Sequence, residues 1–388
     1  MHIKENRERT VPISRYADPS IPSGGLDTSI VAVVTDVQRD GAPVVGFGFS
    51  SIGRYGQAGL IRDRFSPRLL AGSRDDLSTE GGDTIDHFKA WACMMAGEKP
   101  GGHGVRCVAV GTLDMAIWDP AAKIAGLPLY RLIGEMTGRD ATPGPVPVYA
   151  SGGYIYPSDE LAKLEEEIRQ LLDHGFTHIK IKIGFSPLQE DLKRIETVLA
   201  LLPNGGHLAV DAMYRYDRES GLAAAAALQP FGLRWFEDIC DPLDFETLAA
   251  VANVYAPPIA AGEALFSAVD ARNLMLHGRL RGDHDVFLFD LVHCYGLSEY
   301  LRIIDVRESH GFSRRAFQPH GGHLFALHVV AALGLGGSEA NVHNFQPFGG
   351  FSDDAVIEDG HIRPPDAPGI GLETRAELNN LFQSPVKD

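Results

Sequence analysis

Cysteine is scarce in this chain of 388 residues, and its spacing excludes the usual cysteine-based sites. No pair forms a Cys-x-x-Cys motif, and no set has the spacing of zinc ligands. Reduced, mostly buried thiols are therefore expected, which favours a cytoplasmic protein over a disulfide-stabilised one. The four cysteines are Cys93, Cys107, Cys240 and Cys294.

The chain also lacks long hydrophobic runs and an excess of positive charge. No stretch of about 18 or more apolar residues is present to span a bilayer, and the first residues lack the apolar core of a signal peptide. Acidic residues number 51 against 35 Lys and Arg, for a net charge of -16. This balance argues against a nucleic-acid or membrane partner. It leaves an acidic small molecule open, because a local cluster of basic groups or a metal can override the overall sign.

Strand-like and helix-like segments alternate through the second part of the chain. Residues 146–150 form the first candidate strand, and 158–174 and 188–202 are candidate helices on either side of a strand at 178–183. Five further strands end at polar residues, and 341–345 could be an eighth. This alternation predicts an α/β fold with a modified (β/α)8 barrel of the TIM type. The five strand-ending residues are Asp211, Glu237, Glu263, Asp290 and His320.

A small α+β domain is predicted ahead of the barrel. Residues 27–55 are rich in β-branched side chains, and 105–134 have the apolar spacing of a helix. A cluster of prolines before the first barrel strand is typical of a domain boundary. We therefore predict three parts: a capping domain at 1–141, a catalytic barrel at 142–348, and a segment at 349–388 that packs back on the capping domain.

Three acidic residues, Asp211, Glu237 and Glu263, lie at equal spacing, each just after a short apolar strand. The spacing fits one strand plus one helix of a parallel barrel, where residues ending successive strands converge on one face. Three carboxylates brought together there would repel one another unless a cation lies between them. Oxygen ligands select a hard divalent ion such as Mg²⁺, so the pattern predicts a metal-dependent enzyme.

Two lysines, Lys180 and Lys182, alternate with isoleucines on the second strand. Because side chains of a strand alternate between its faces, both lysines should face the barrel interior. Desolvation and mutual repulsion would lower their pKa values, so that one of them could act as a general base. The alternative is a solvated edge strand, which suits a parallel barrel poorly because its strands are covered on both sides.

The last candidate pair is Asp290 and His320, which end neighbouring strands opposite the lysines. A carboxylate that accepts a hydrogen bond from an imidazole fixes the tautomer of the imidazole and raises the pKa of that ring, which makes the histidine a competent general acid. The competing interpretation is a structural histidine beside a glycine pair. His323 is expected to start a helix or to lie in the core. Together these groups suit removal of a proton next to a carboxylate, with a divalent ion stabilising the resulting charge.

These motifs, with the closing Pro-Gly-Ile-Gly-Leu-Glu373, make the chain resemble the mandelate racemase branch of the enolase superfamily over nearly its whole length. Within that branch it is most similar to the D-tartrate dehydratase group. The stretches that carry this closer similarity are Gly-Arg-Tyr-Gly-Gln at 53–57, Glu-Lys-Pro-Gly-Gly-His-Gly at 98–104, Tyr-Ala-Ser-Gly-Gly-Tyr at 149–154, His-Gly-Gly-His at 320–323 and Phe-Gln-Pro-Phe-Gly-Gly at 345–350.

The resemblance implies an Mg²⁺-dependent dehydratase of acid sugars. The three spaced carboxylates would hold Mg²⁺, Lys182 would abstract the α-proton, and Lys180 would contact a substrate carboxylate and tune Lys182. His320, supported by Asp290, would protonate the departing β-hydroxyl. The product would be a 2-keto acid, oxaloacetate in the D-tartrate case. Homo-oligomers are common in the family and are expected here.

Loops of the first domain would recognise the distal end of the substrate, by the same resemblance. The loop at 16–25 is one candidate, and Arg54, Tyr55, His103 and Glu339 are the candidate side chains. For Arg54 and His103 the alternative is simple solvation.

Three positions depart from the family pattern. Met213 and Ala264 stand where asparagine is common, and Asp238 stands where glutamate is common after Glu237. The metal carboxylates are retained, so proton abstraction is expected, but another aldarate could replace D-tartrate as substrate. A racemase that transfers a proton between Lys182 and His320, and a barrel that only binds a ligand, remain alternatives. A metal-dependent hydrolase is disfavoured because no His-x-His motif occurs.

Overall fold

The structure is a computed structural model, and it describes residues 1–14, 25–81, 84–139 and 144–387. Nearly all of the predicted recognition loop at 16–25 lies outside these ranges, as does the predicted boundary after residue 141. None of the helices within the ranges is long and apolar enough to cross a membrane.

The N-terminal part contains a three-stranded antiparallel sheet in the order β1-β2-β3. Asp40 and Gly41 both have positive φ, at 51° and 80°, which is typical of the tight turn that joins β2 to β3. Helix α5 is almost entirely buried against this sheet. The helix approaches β3 so closely that a Cβ on Gly48 would lie 2.6 Å from the Thr112 carbonyl oxygen, and the absence of a side chain at Gly48 permits this approach. The elements are β1 Ile3–Pro12, β2 Asp27–Arg39, β3 Ala42–Phe49, α1 Ala58–Leu60, a π-helical turn Ile61–Phe65, α2 Ser66–Ala71, α3 Arg74–Leu77, α4 His87–Met95, α5 Val105–Ala125 and α6 Leu129–Met136.

The second part is a parallel barrel wrapped by helices, which confirms the predicted fold class. Strand β10 pairs with β4, and the other strands follow in chain order. Between β9 and β10 the wall continues through Phe317, which bridges Phe287 and accepts a hydrogen bond from the Gly336 N–H at 2.9 Å. The strands are β4 Val146–Ser151, β5 Ile179–Lys182, β6 Leu208–Asp211, β7 Trp235–Glu237, β8 Ile259–Ala261, β9 Val286–Phe287 and β10 Ser338–Ala340, with β11 His361–Ile362 antiparallel to β4.

Helices cover the outside of the barrel, and their apolar faces form one core with the strands. The α-helices are α7 Glu160–Asp173, α8 Leu188–Leu199, α9 Arg218–Leu228, α10 Phe245–Val254, α11 Ala268–Leu276, α12 Leu297–Ser309, α13 Leu324–Leu333, α14 Ala376–Phe382 and α15 Ser384–Lys387. Short 3-10 turns are Gly205–His207, Gln229–Phe231, Arg314–Ala316 and Leu372–Thr374.

The predicted eighth strand at 341–345 is wrong. The strand that closes the barrel is β10, a few residues earlier, and the chain bends directly after it. The Asn341 N–H donates to the Gly322 carbonyl at 3.2 Å, and Phe345 has a φ of 55°, which no strand accommodates. His320 does not end a strand either, because only Phe317 bridges to β9 and glycines follow His320.

The C-terminal segment contacts the first part of the chain. The Ile370 N–H donates to Asp119 of α5 at 2.8 Å, and the ring of Phe382 stacks on Phe47 of β3 at 5.0 Å. The division into three domains itself stays a prediction.

Candidate active site

A cluster of buried carboxylates lies at the carboxyl ends of the barrel strands. Asp211 and Glu237 end β6 and β7, and with Asp238 they place one oxygen each within 4.8 Å of one another. Glu263, two residues after β8, is not part of this close group. Its carboxylate instead lies 3.1 Å from Nε2 of His320 and 3.8 Å from Arg54. The structure therefore brings Asp238 among the carboxylates and places Glu263 towards His320.

The cluster fits a hard divalent cation. Burial, with repulsion from its neighbours, raises the pKa of Asp238 far above its ordinary value. Burial likewise raises the pKa of Glu237 to about 8, although Lys180 opposes the change. Both oxygens of Asp238 lack a hydrogen-bond partner among the described residues, with the Tyr214 hydroxyl nearby. Unpaired, buried carboxylate oxygens with no nitrogen or sulfur ligand match the donor set of Mg²⁺.

Both lysines of β5 face the barrel interior, as predicted, and are buried. Lys182 bonds to Asp211, while Lys180 lies 2.5 Å from Glu237 and 2.9 Å from Glu339. The predicted lowering of their pKa values is wrong. Burial does favour the neutral amine, but the facing carboxylates outweigh it and raise the pKa of both lysines above the ordinary value. The sequence showed the two like charges on one strand but not the carboxylates opposite them.

Asp290 and His320 form a hydrogen-bonded pair, Nδ1 to Oδ2 at 2.9 Å. The other oxygen of Asp290 accepts from the Val292 and His293 N–H groups, at 2.7 and 3.0 Å, which fixes the carboxylate. Burial would lower the pKa of His320, but Glu263 on one side and Asp290 on the other raise it to about 9. Two acceptors, one at each ring nitrogen, favour the protonated imidazole. The nearby His323 caps α13, accepting from the Ala326 N–H, which confirms its predicted place.

The first domain supplies side chains to the same site. The guanidinium of Arg54 faces Glu263, and its pKa is raised because that carboxylate and others outweigh burial. The Tyr55 ring packs edge-on against His293 at 5.0 Å, and burial raises the pKa of its hydroxyl to about 12. The hydroxyl of Ser51 donates to Asp290 at 2.8 Å, to the same oxygen that His320 contacts.

His103 does not reach the carboxylates at the ends of the barrel strands. Its Nδ1 lies 3.0 Å from the Tyr295 hydroxyl and its Nε2 lies 3.9 Å from Asp270. Glu339 does lie in the site, where it contacts Lys180 and accepts from the Gly321 N–H at 3.0 Å.

Sequence reasoning did not assign Ser51, Asp238 or His293 to the site. Asp238 directly follows a predicted metal ligand, and His293 lies in the turn after Asp290, so chain proximity was a usable signal for both. Ser51 lies on a loop of the other domain, and nothing in its local sequence indicates a contact with the barrel.

Comparison with known proteins places the chain in a family. The enolase C-terminal domain-like family model matches residues 163–378. L-talarate/galactarate dehydratase of Salmonella typhimurium is 30% identical over 359 residues, which cover 92% of this chain and 83% of that protein. Arabinonate dehydratase of Saccharolobus solfataricus is 27% identical over 278 residues, or 71% of this chain and 72% of the relative.

Solved structures agree with these sequence matches. A mandelate racemase/muconate lactonizing enzyme from Polaromonas sp. JS666 superposes with a TM-score of 0.75 at 26% identity, covering 95% of this chain and 93% of that one. L-talarate dehydratase from the same organism, in complex with Mg and L-glucarate, gives a TM-score of 0.71 at 26% identity over 95% and 94% of the two chains. The family model, the relatives and the fold agree, and the chain belongs to the mandelate racemase branch of the enolase superfamily.

Proposed function

We propose that this chain is an Mg²⁺-dependent acid-sugar dehydratase, a hydro-lyase that converts a 2,3-dihydroxy acid into a 2-keto acid. The observation that carries the proposal is the placement of two buried groups beside carboxylates at the ends of the barrel strands. Lys182 bonds to Asp211, and His320 contacts Glu263. The Salmonella relative acts on talarate and galactarate, and the Saccharolobus relative on arabinonate, so acid sugars are the shared substrate class.

The carboxylates would hold the ion, with Asp211, Glu237 and Glu263 as the predicted ligands and Asp238 beside them. A bound Mg²⁺ supplies charge stabilisation to the substrate carboxylate and so makes the neighbouring C–H more acidic. Lys182, as the neutral amine, accepts that proton on Nζ. The positive charge of Lys180 favours this neutral form, whereas the contact with Asp211 outweighs it and raises the pKa of Lys182. A cation held by Asp211 would weaken that contact and so make the neutral amine more accessible.

His320 completes the elimination. The electron pair of the broken C–H bond forms the new C=C bond, and the β-hydroxyl leaves with the electrons of its C–O bond. His320 donates its proton to that hydroxyl, which departs as water, while Asp290 holds Nδ1 and stabilises the charged ring before transfer. The enol that remains tautomerises to the 2-keto acid.

D-tartrate, which would give oxaloacetate, is the substrate that the closer resemblance favours. Arg54 offers a cation for the second carboxylate of such a diacid. It lies at the site, and its guanidinium is 3.8 Å from Glu263, which is too far for a hydrogen bond. Galactarate and talarate are also diacids, so a longer aldarate fits the same two charges. We also propose that the chain has the three predicted domains, at 1–141, 142–348 and 349–388. The protein is further proposed to be a cytoplasmic homo-oligomer.

Formation of 2-keto acid from a panel of acid sugars, with and without Mg²⁺, tests the proposal. The panel contains both tartrate enantiomers, meso-tartrate, galactarate, talarate and arabinonate. Mg²⁺-dependent product from any of them supports a dehydratase, and product from D-tartrate alone supports the narrower assignment. No product from any member would reject the dehydratase.

A racemase or epimerase is the second candidate, and one observation favours it. Lys182 and His320 are both proton carriers in the site, one beside Asp211 and the other beside Glu263, so they could remove a proton from one face and return it to the other. Deuterium incorporation at Cα with inversion and without loss of the hydroxyl would support this alternative.

A further inference from the structure

His293 is a buried histidine in the site that the proposed mechanism does not use. It lies in the turn after β9, is 1% exposed, and neither ring nitrogen has a hydrogen-bond partner among the described residues. An imidazole always carries at least one N–H, and leaving a buried donor unpaired is unfavourable. The ring therefore occupies this position at an energetic cost that its packing alone does not explain.

The surroundings of His293 belong to the reacting groups. Its Nδ1 lies 3.7 Å from Oδ2 of Asp290, too far for a hydrogen bond, and its ring centroid lies 6.0 Å from that of His320. Tyr55 packs edge-on against it from the other domain. His293 thus lies on the side of the site where the proposed acid donates its proton, and not on the side of Lys182.

The local charge favours a neutral partner over an anionic one. Asp290 and Glu263 lie near His293, and so do the cations His320 and Arg54. Charges of both signs therefore surround the ring, and no excess of positive charge is left there to attract a substrate carboxylate. Burial keeps the imidazole neutral by lowering its pKa, and one of its nitrogens then donates while the other accepts. A hydroxyl can accept from the first or donate to the second, so it matches either tautomer.

We infer that His293 binds the substrate hydroxyl that faces His320 and orients it for departure. This inference rests on the proposed function, since it names a residue that recognises the leaving group.

The kinetic test replaces His293 by Phe, which keeps a ring but has no polar atom, and by Asn, which keeps a donor and an acceptor. With D-tartrate and Mg²⁺, His293→Phe is expected to lower kcat/KM for oxaloacetate formation by about 10–100-fold, the cost of one lost hydrogen bond to a buried group. At saturating D-tartrate, where weaker binding no longer limits the rate, exchange of the Cα proton with D₂O should change by less than about threefold, while loss of the hydroxyl should still be slower. His293→Asn should recover part of the loss.

His87 provides a matched control. It is also a buried histidine with an unpartnered Nδ1, and burial lowers its pKa to about 3, but its ring stacks on Trp118 at 3.5 Å within the first domain. His87→Phe should leave the ratio of hydroxyl loss to proton exchange unchanged. If His293→Phe also left this ratio unchanged, whether or not overall activity fell, the inference would be wrong.

A binding measurement decides the inference independently of turnover. Calorimetry with Mg²⁺ compares D-tartrate with succinate, which has the same two carboxylates and no hydroxyl, in the Lys182→Ala background. Adding His293→Phe should weaken D-tartrate binding by about tenfold or more and leave succinate binding unchanged. Equal weakening of both ligands would contradict a hydroxyl contact. If the wild type forms no 2-keto acid from any acid sugar of the panel but this difference appears, the dehydratase proposal fails and the contact stands.

Discussion

Ionisable side chains without access to water are concentrated at the carboxyl ends of the barrel strands. Lys180, Lys182 and Glu339 are each at most 5% exposed, and every one of them contacts a group of opposite charge. Alternation along β5 made the direction of both lysines predictable from sequence, because strand parity follows from geometry alone. The sign of their pKa shifts was not predictable, because it depends on carboxylates that come from other strands.

We expect Ser51 to position the proposed acid, His320, through Asp290. Its hydroxyl holds the Asp290 oxygen that also contacts His320, and its φ of 56° places a non-glycine residue in the left-handed region. Ser51→Ala and Ser51→Gly should both lower kcat about tenfold with little change in KM, which is the effect of about 1.4 kcal/mol. Steady-state kinetics checks this.

The two Ser51 variants differ in one useful respect. Glycine adopts a positive φ without strain, so the unfolding temperature of Ser51→Gly should be at least as high as that of Ser51→Ala. Ser50→Ala is the control, since its hydroxyl lies 3.4 Å from the Ser29 carbonyl and does not contact Asp290. An unchanged kcat in Ser51→Ala would show that the hydroxyl does not position the acid.

The ends of the barrel strands determine which side chains lie in the site. The ends of β6 and β7 were correctly predicted, because an acidic residue closes an apolar run and the next turn begins at once. The eighth strand was misplaced because the strand that closes the barrel, β10, contains Ser338 and Glu339 and has no apolar run to mark it. Contacts made between domains, such as Ser51 with Asp290, leave no local pattern and could not be predicted.

The turn after β6 offers a test of an element that departs from the family pattern. Met213 has a φ of 47°, in the left-handed region that asparagine tolerates better than methionine. Met213→Asn should therefore raise the free energy of unfolding by about 0.5–1 kcal/mol. Ala264→Asn restores the other asparagine at a residue without positive φ and should bring no such gain. Chemical denaturation measures both, and equal effects would contradict the backbone explanation.

For the whole molecule, the main structural feature is the close packing of the first domain on the barrel. A Cβ on Gly111 of α5 would lie 1.9 Å from the Val292 carbonyl oxygen, in the turn that carries Asp290 and His293. Asp114 of the same helix accepts from the Leu297 N–H at the start of α12, at 2.7 Å. The first domain therefore fixes the turn that carries Asp290, the carboxylate that contacts His320. The geometry of the site thus depends on how the first domain packs on the barrel.

Binding of Mg²⁺ should stabilise the folded chain. At a free concentration about 100 times its Kd, a ligand specific for the native state adds about 2.7 kcal/mol. Thermal unfolding with and without Mg²⁺ should show this increase in wild type and a smaller one in Asp238→Asn. Glu135→Gln, on an exposed face of α6, is the control. An undiminished increase in Asp238→Asn would exclude Asp238 from the cation site.

In the proposed mechanism Lys182 removes the α-proton and His320 releases the hydroxyl. The most direct test follows Cα deuterium exchange and 2-keto acid formation together in D₂O, with Mg²⁺ and D-tartrate. Lys182→Ala should abolish both reactions, whereas His320→Asn should abolish hydroxyl loss and leave measurable exchange. Loss of both reactions in His320→Asn together with surviving exchange in Lys182→Ala would reverse the two roles and contradict the account.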